Sequence, residues 1–229
     1  MSPMRTIAHC DLLPDLLQQL LESNSETHLI VCATRPEFLV HLTAAIRSQR
    51  ADPDTAASHD LLTKTIGLLA RSSKIRLAFC PTLESLRAYI AVLGATGKGA
   101  TDDETRSHDR QLLCILDLVA IHVPTSEFSA QGLSRTLASA VEAAYNADMD
   151  LRLYECTNVL DPSSAVWGRK LWDMNVPLLN GSVRLRGDES TWGGRGVTVK
   201  RVAERWFEFD QSHQTEGSAM VNSESDMIL

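Results

Sequence analysis

Residues 112–116 read L-L-C-I-L, five apolar side chains in a row, closed by Asp117 and followed by Leu118 and Val119. The run is too short for a helix and shows no alternation, so an extended segment here must be covered on both faces. Strands of that kind belong to a largely parallel sheet with helices packed above and below. Any fold for this chain has to supply those helices.

They are legible on either side. Leu12, Leu13, Leu16, Leu17, Leu20 and Leu21 recur at three-to-four spacing and predict a helix over 12–22, ended by Ser23, Asn24 and Ser25. Residues 28–34, H-L-I-V-C-A-T, predict a buried strand, and a helix follows with Phe38, Leu39, Leu42, Ala45 and Ile46 inward. Beyond a polar loop at 50–59, Leu61, Leu62, Ile66 and Leu69 mark another helix. Ile75, Leu77 and Phe79 make a second strand, stopped by Pro81. Thr82 caps a helix carrying Leu83, Leu86, Ile90 and Leu93. Residues 94–110 read as a mobile loop. A helix with Leu133, Leu137, Val141 and Ala144 in register precedes a strand at Leu151, Leu153 and Tyr154. Residues 176–186 and 197–209 look extended with no long helix between them, and suggest antiparallel strands added to one edge. Residues 211–229 lack periodicity and read as a disordered tail. The expectation is an α/β fold in one domain over 28–210, preceded by an N-terminal helical segment at 1–27.

Composition limits the function. The 229 residues carry a formal charge of −7, so the chain as a whole is no electrostatic glove for nucleic acid. No apolar run approaches the roughly 18 residues of a membrane span, and the N-terminus lacks the h-region of a secretory signal, which points to the cytosol or nucleus. Cys10, Cys32, Cys80, Cys114 and Cys156 lie without C-x-x-C spacing, as reduced core residues would, and the seven histidines form no cluster, so a metal site is unsupported.

The strand–turn–helix at 28–48 is where a phosphate-binding loop would sit. Such a loop needs glycines to let backbone N–H groups wrap phosphates, and a lysine to neutralise them. The turn instead reads Thr34-Arg35-Pro36-Glu37, the chemistry of a capping box, with Pro36 tolerated in the first helical turn. Glu37 would hold the place at the helix N-terminus that favours an anion, and would repel a phosphate. Gly94-Ala95-Thr96-Gly97-Lys98-Gly99 has neither the spacing nor the preceding strand of a nucleotide loop. Asp117, ending an apolar strand, matches the Mg²⁺-holding position of ATPases, but with no lysine-bearing loop a metal has little to bridge. No nucleophile elbow is present. Catalytic residues and cofactors are therefore expected to be none.

Bulky aromatics concentrate late in the chain: Trp167, Trp172, Trp192, Trp206 and Phe207. Trp206 and Phe209 read as core, whereas Trp192 fits partner contact or local loop packing equally. Arg184, Arg186, Arg195, Lys200 and Arg201 form a basic stretch that is either a solvated strand face or a contact for DNA phosphates.

The first strand at the phosphate-loop position, I-R-L-A-F-C-P-T-L-E-S-L-R-A-Y-I at 75–90, L-L-C-I-L-D-L at 112–118 and E-R-W-F-E-F at 204–209 together resemble recombinase paralogs of the RecA superfamily. The similarity is to the small ATPase-like subunit that pairs with a SWIM-domain protein in Shu-type recombination complexes. It implies a RecA-like fold and a pseudo-ATPase in a nuclear, heteromeric DNA-repair complex, with the cytoplasm as the other location. Its partners would be a SWIM-domain protein or a recombinase, with DNA reached through the assembly. Two alternatives stand beside it. One is a RecA-like accessory subunit of Elongator, in tRNA modification. The other is an α/β enzyme whose site lies at the strand ends near Thr34, Pro81, Asp117 and Thr157.

Overall fold

A computed structural model describes residues 3–23, 25–49, 59–96, 110–164, 166–179 and 196–210. Six strands form one sheet in the order β3-β2-β4-β5-β1-β8, every neighbouring pair parallel. They are β1 (Arg5–Ile7), β2 (Thr27–Val31), β3 (Ile75–Phe79), β4 (Leu112–Leu116), β5 (Asp150–Tyr154) and β8 (Glu208–Phe209). A separate antiparallel pair joins β6 (Asn175–Val176) to β7 (Val197–Thr198). The helices are α1 (Leu13–Glu22), α2 (Arg35–Gln49), α3 (Ile66–Ser72), α4 (Leu83–Thr96), α5 (Ala130–Asn146) and α6 (Val199–Ala203).

The pleat sorts the core into two layers. On β4, Leu112, Cys114 and Leu116 meet Leu13, Leu16, Leu20 and Phe38 from α1 and α2. Leu113 and Ile115 point the other way, to Leu86 and Ile90 of α4 and Leu133 and Leu137 of α5. All five β4 side chains are buried, as their unbroken apolarity requires. Gly94 lets α4 and α5 touch, since a Cβ there would stand 3.1 Å from the Ala143 Cα.

Four readings need correction. A strand precedes the one at 28–34: β1 lies between β5 and β8, so the N-terminal segment is part of the sheet as well as helical. Three residues are too few for periodicity, and of these only Ile7 is buried. Residues 197–209 hold the short helix α6, because Thr198 Oγ1 accepts the Arg201 N–H at 3.2 Å and caps it. The antiparallel pair expected near the C-terminus is present, but it stands apart from the main sheet, whose edge strand β8 is parallel. Finally, Leu39 of α2 faces outward, with Phe38, Ala45 and Ile46 taking the core. The tail at 211–229 and most of the loop at 94–110 fall outside the described residues.

Candidate functional site

In an open parallel sheet, ligands sit at the carboxyl ends of the strands where neighbouring connections diverge. Here β2 leads outward to β3 while its neighbour β4 leads the other way to β5, so the crevice falls between β2 and β4. Thr34 follows β2, Asp117 ends β4, and Glu155, Cys156 and Thr157 follow β5.

The turn after β2 is closed upon itself. Glu37 Oε2 accepts from the Thr34 N–H at 2.9 Å and the Thr34 hydroxyl at 2.7 Å, and the Glu37 N–H donates back to Thr34 Oγ1 at 3.3 Å. The Thr34 hydroxyl and N–H hold the Glu37 carboxyl below its usual range. The helix N-terminus that could greet a phosphate is thus occupied by the chain's own carboxylate. The turn after β1, Ala8 to Leu12, has no glycine or lysine either, and its Asp11 carbonyl accepts the Thr157 N–H at 3.0 Å.

Beneath these turns lies a cavity of about 30 Å³. Its walls include Leu13, Val31, Phe38, Leu116 and Trp167, with Asp117, His41, Thr157 and Asn158 as polar members. The His41 and Trp167 rings meet edge to face at 5.7 Å. A space of this size takes a water or two, whereas small-molecule sites run to roughly 300–1,000 Å³. Neither Thr34 nor Pro81 reaches it.

Asp117 adopts a left-handed backbone, φ 62°, a conformation Asp tolerates better than most residues. Its N–H donates to the Tyr154 carbonyl at 2.8 Å, and its Oδ1 accepts the Cys156 N–H at 3.1 Å. Burial pushes its carboxyl up to about 7, against the pull of the Cys156 N–H. Glu155, 4% exposed, is pushed well above its usual range by burial and then by the charge of Asp117. Sequence reasoning passed over Glu155, because β5 reads D-L-R-L-Y and lacks the unbroken apolar run that drew attention to Asp117.

The basic stretch meets a different fate. Lys200 sits over the Phe209 ring at 5.3 Å, and Arg201 pairs with Glu204 at 3.4 Å. Both are on α6, so they do not form the strand face expected, and as sequence neighbours they point in different directions. Arg184, Arg186, Arg195 and Trp192 lie outside the described residues. Lys200 lines a groove of about 800 Å³ at the ends of β1 and β8, together with His9, Arg169, Asp173, Glu204, Glu208 and Asp210. Four carboxylates there outnumber one arginine and one lysine, which gives no positive field for a polyanion. Trp172 is buried against Phe209 and Trp206 is partly buried, both as core.

Among the described residues no group of three His, Cys, Asp or Glu could hold a metal ion, and no helix is long and apolar enough to cross a membrane. A family model described as SPAC22G7.03-like matches residues 5–151, from β1 into β5 and more than half of the chain. No curated protein matches.

Proposed function

The chain belongs to the SPAC22G7.03-like family, and we propose that it is a non-catalytic, RecA-like subunit that works by contact with protein partners. The observation that carries this reading is the closed crevice: a cavity of about 30 Å³ under a turn whose helix N-terminus is taken by Glu37. A fold built to bind at that crevice has no room for a nucleotide there.

A surface fit for a partner lies at the β3 end of the sheet. Beside this edge strand, which has no outer neighbour among the described residues, Leu77 is 51% exposed, and Leu62, Ile66 and Leu69 around α3 are exposed too. Leu77 stands in register with Leu29, whose side chain faces the α1–α2 layer, so these side chains share one side of the molecule. Exposed apolar groups beside an unpaired strand edge mark interaction surfaces.

The narrower assignment, a pseudo-ATPase in a nuclear complex for homologous recombination and DNA repair, rests on the resemblance to recombinase paralogs. Affinity copurification of the tagged chain from cells tests both levels. A SWIM-domain protein or recombinase among the partners supports recombination, and Elongator subunits would move the chain to tRNA modification. Saturable, Mg²⁺-dependent nucleotide binding by the purified chain would end the non-catalytic reading.

One observation favours an enzyme instead: Asp117 and Glu155 are buried acids, one of them titrating near neutrality, as proton-transfer pairs do. Glu155, however, spends both oxygens on the Val119 and Ala120 N–H groups and Asp117 spends Oδ1 on the Cys156 N–H, beside a space too small for a substrate.

A further inference from the structure

We propose that Cys10 and Cys156 form a reversible dithiol–disulfide site. They are 146 positions apart in sequence, and the pairing of β1 with β5 brings them onto neighbouring segments of the chain. Ile7 is in register with Leu153, and three residues further along each strand stand Cys10 and Cys156. The two segments stay hydrogen-bonded past the strand ends, with a shift of one residue: the Ala8 N–H donates to the Leu153 carbonyl at 3.1 Å and the Thr157 N–H to the Asp11 carbonyl at 3.0 Å. Those two bonds bracket the cysteines. Neighbouring strands lie about 4.7–4.9 Å apart, inside the range of about 4.4–6.8 Å between Cα atoms that a disulfide spans. The two thiols lie close enough to shift each other's ionisation, and they share one apolar layer.

The pair is asymmetric in the way exchange chemistry needs. Cys10 is half-buried, and the neighbouring Cys156 thiol holds its own below the usual range. Cys156 is buried, and the Cys10 thiol together with burial raises its own. Cys10 is thus the attacking sulfur and Cys156 the resolving one. With a small-molecule disulfide as oxidant, the Cys10 thiolate attacks one oxidant sulfur, forming a mixed disulfide and releasing one thiolate. Cys156 then attacks Cys10 Sγ, the second oxidant thiolate leaves, and it takes up the proton that Cys156 gives up. The two cysteines are oxidised by two electrons and the oxidant is reduced to two thiols.

The molecule carries its own control. Cys32 and Cys80 follow Val31 and Phe79, which are also in register across parallel strands. Both are buried, and burial raises both thiols, so no attacking thiolate is available.

The full chain, equilibrated in buffers of increasing glutathione disulfide, acid-quenched and alkylated, gives the test by thiol count and peptide mapping. Two of the five thiols are expected to disappear together, with a cross-linked peptide joining Cys10 to Cys156. Reduced glutathione should restore both thiols. Cys156→Ser should trap glutathione on Cys10, and Cys10→Ser should keep its four thiols free. Mapping of the unsubstituted chain stands by itself should either variant fail to fold. Five free thiols in strongly oxidising buffer, a lasting glutathione adduct on Cys10 in the unsubstituted chain, or a Cys32–Cys80 link appearing first would each overturn the proposal.

Discussion

Asp117 and Glu155 each hold the loop that follows the other's strand: Asp117 Oδ1 accepts the Cys156 N–H at 3.1 Å, and Glu155 accepts the Val119 N–H at 2.5 Å and the Ala120 N–H at 3.3 Å. The adjacent strands β4 and β5 are thereby locked together beyond the last rung of their ladder. Two buried carboxyl groups side by side resist double ionisation, and this sets the pH behaviour of the clasp.

For Asp117 the folded pKa of about 7 lies above the ordinary carboxyl value near 3.8. The folded state therefore retains a proton that the unfolded chain has shed. The resulting stability is complete below the unfolded pKa and is lost as pH rises through about 7. Asp117→Asn keeps an acceptor for the Cys156 N–H and tolerates the left-handed backbone, but cannot ionise. Between pH 5.5 and pH 8 the variant should gain roughly 1–3 kcal/mol on the natural chain. Urea midpoints of both proteins at the two pH values measure this, and an unchanged difference would show that Asp117 is ionised in the folded state at both.

A second polar knot lies under α5. His122 is fully buried, with Nδ1 at 2.8 Å from the Leu118 carbonyl and Nε2 at 3.0 Å from Thr136 Oγ1. Burial lowers its pKa to about 4, so it is neutral, donating through Nδ1 and accepting from the Thr136 hydroxyl. Thr136 Oγ1 in turn accepts from Arg87 Nε at 3.0 Å and Nη2 at 2.9 Å, which uses the hydroxyl in full. Thr136→Val strands His122 Nε2 and should cost about 2–4 kcal/mol in chemical denaturation, whereas Thr136→Ser should cost about 1. Equal losses would mean that packing, and not the hydroxyl, matters at this position.

Arg87 also pairs with Glu127, and Glu127 sits directly over Gly132 near the start of α5. A Cβ at Gly132 would stand 2.2 Å from the Glu127 carbonyl oxygen, a backbone atom that cannot swing aside. Gly132→Ala should therefore cost about 2 kcal/mol or more, through displacement of the Arg87–Glu127 pair. Gly67→Ala in α3 meets its nearest atom at 4.0 Å and should be neutral or stabilising by roughly 0.5–1 kcal/mol. Thermal melts of the two variants separate steric exclusion from simple helix propensity.

What could be read from sequence follows from how local each signal is. The apolar run of β4 and the Thr34–Glu37 box are complete within a few residues, and both stand in the fold as their chemistry demands. The strand β1 was illegible because its placement comes from β5 and β8, not from its own three residues. The outward side chains of α3 carry the spacing of a core face, and spacing cannot say whether a layer exists to cover it. Glu155, the partner of Asp117, and the Cys10–Cys156 pair are products of strand order. No pattern along the chain announces which two strands will be neighbours.

The exposed β3 end gives the prediction that separates a partner surface from ordinary surface apolarity. Leu77 is half-exposed on the outermost strand and Leu69 is 62% exposed on α3. Replacing them by Leu77→Lys and Leu69→Glu removes little buried contact, so each should change stability by no more than about 0.5 kcal/mol. If a partner covers this face, the same changes place charges in a desolvated interface, which typically weakens binding by several kcal/mol. The expected outcome is a double variant with an unaltered thermal midpoint that no longer retains the partners captured by the natural chain. Retention of those partners at full yield would place the interface elsewhere on the molecule. A large fall in the midpoint would show that the two leucines support the fold itself.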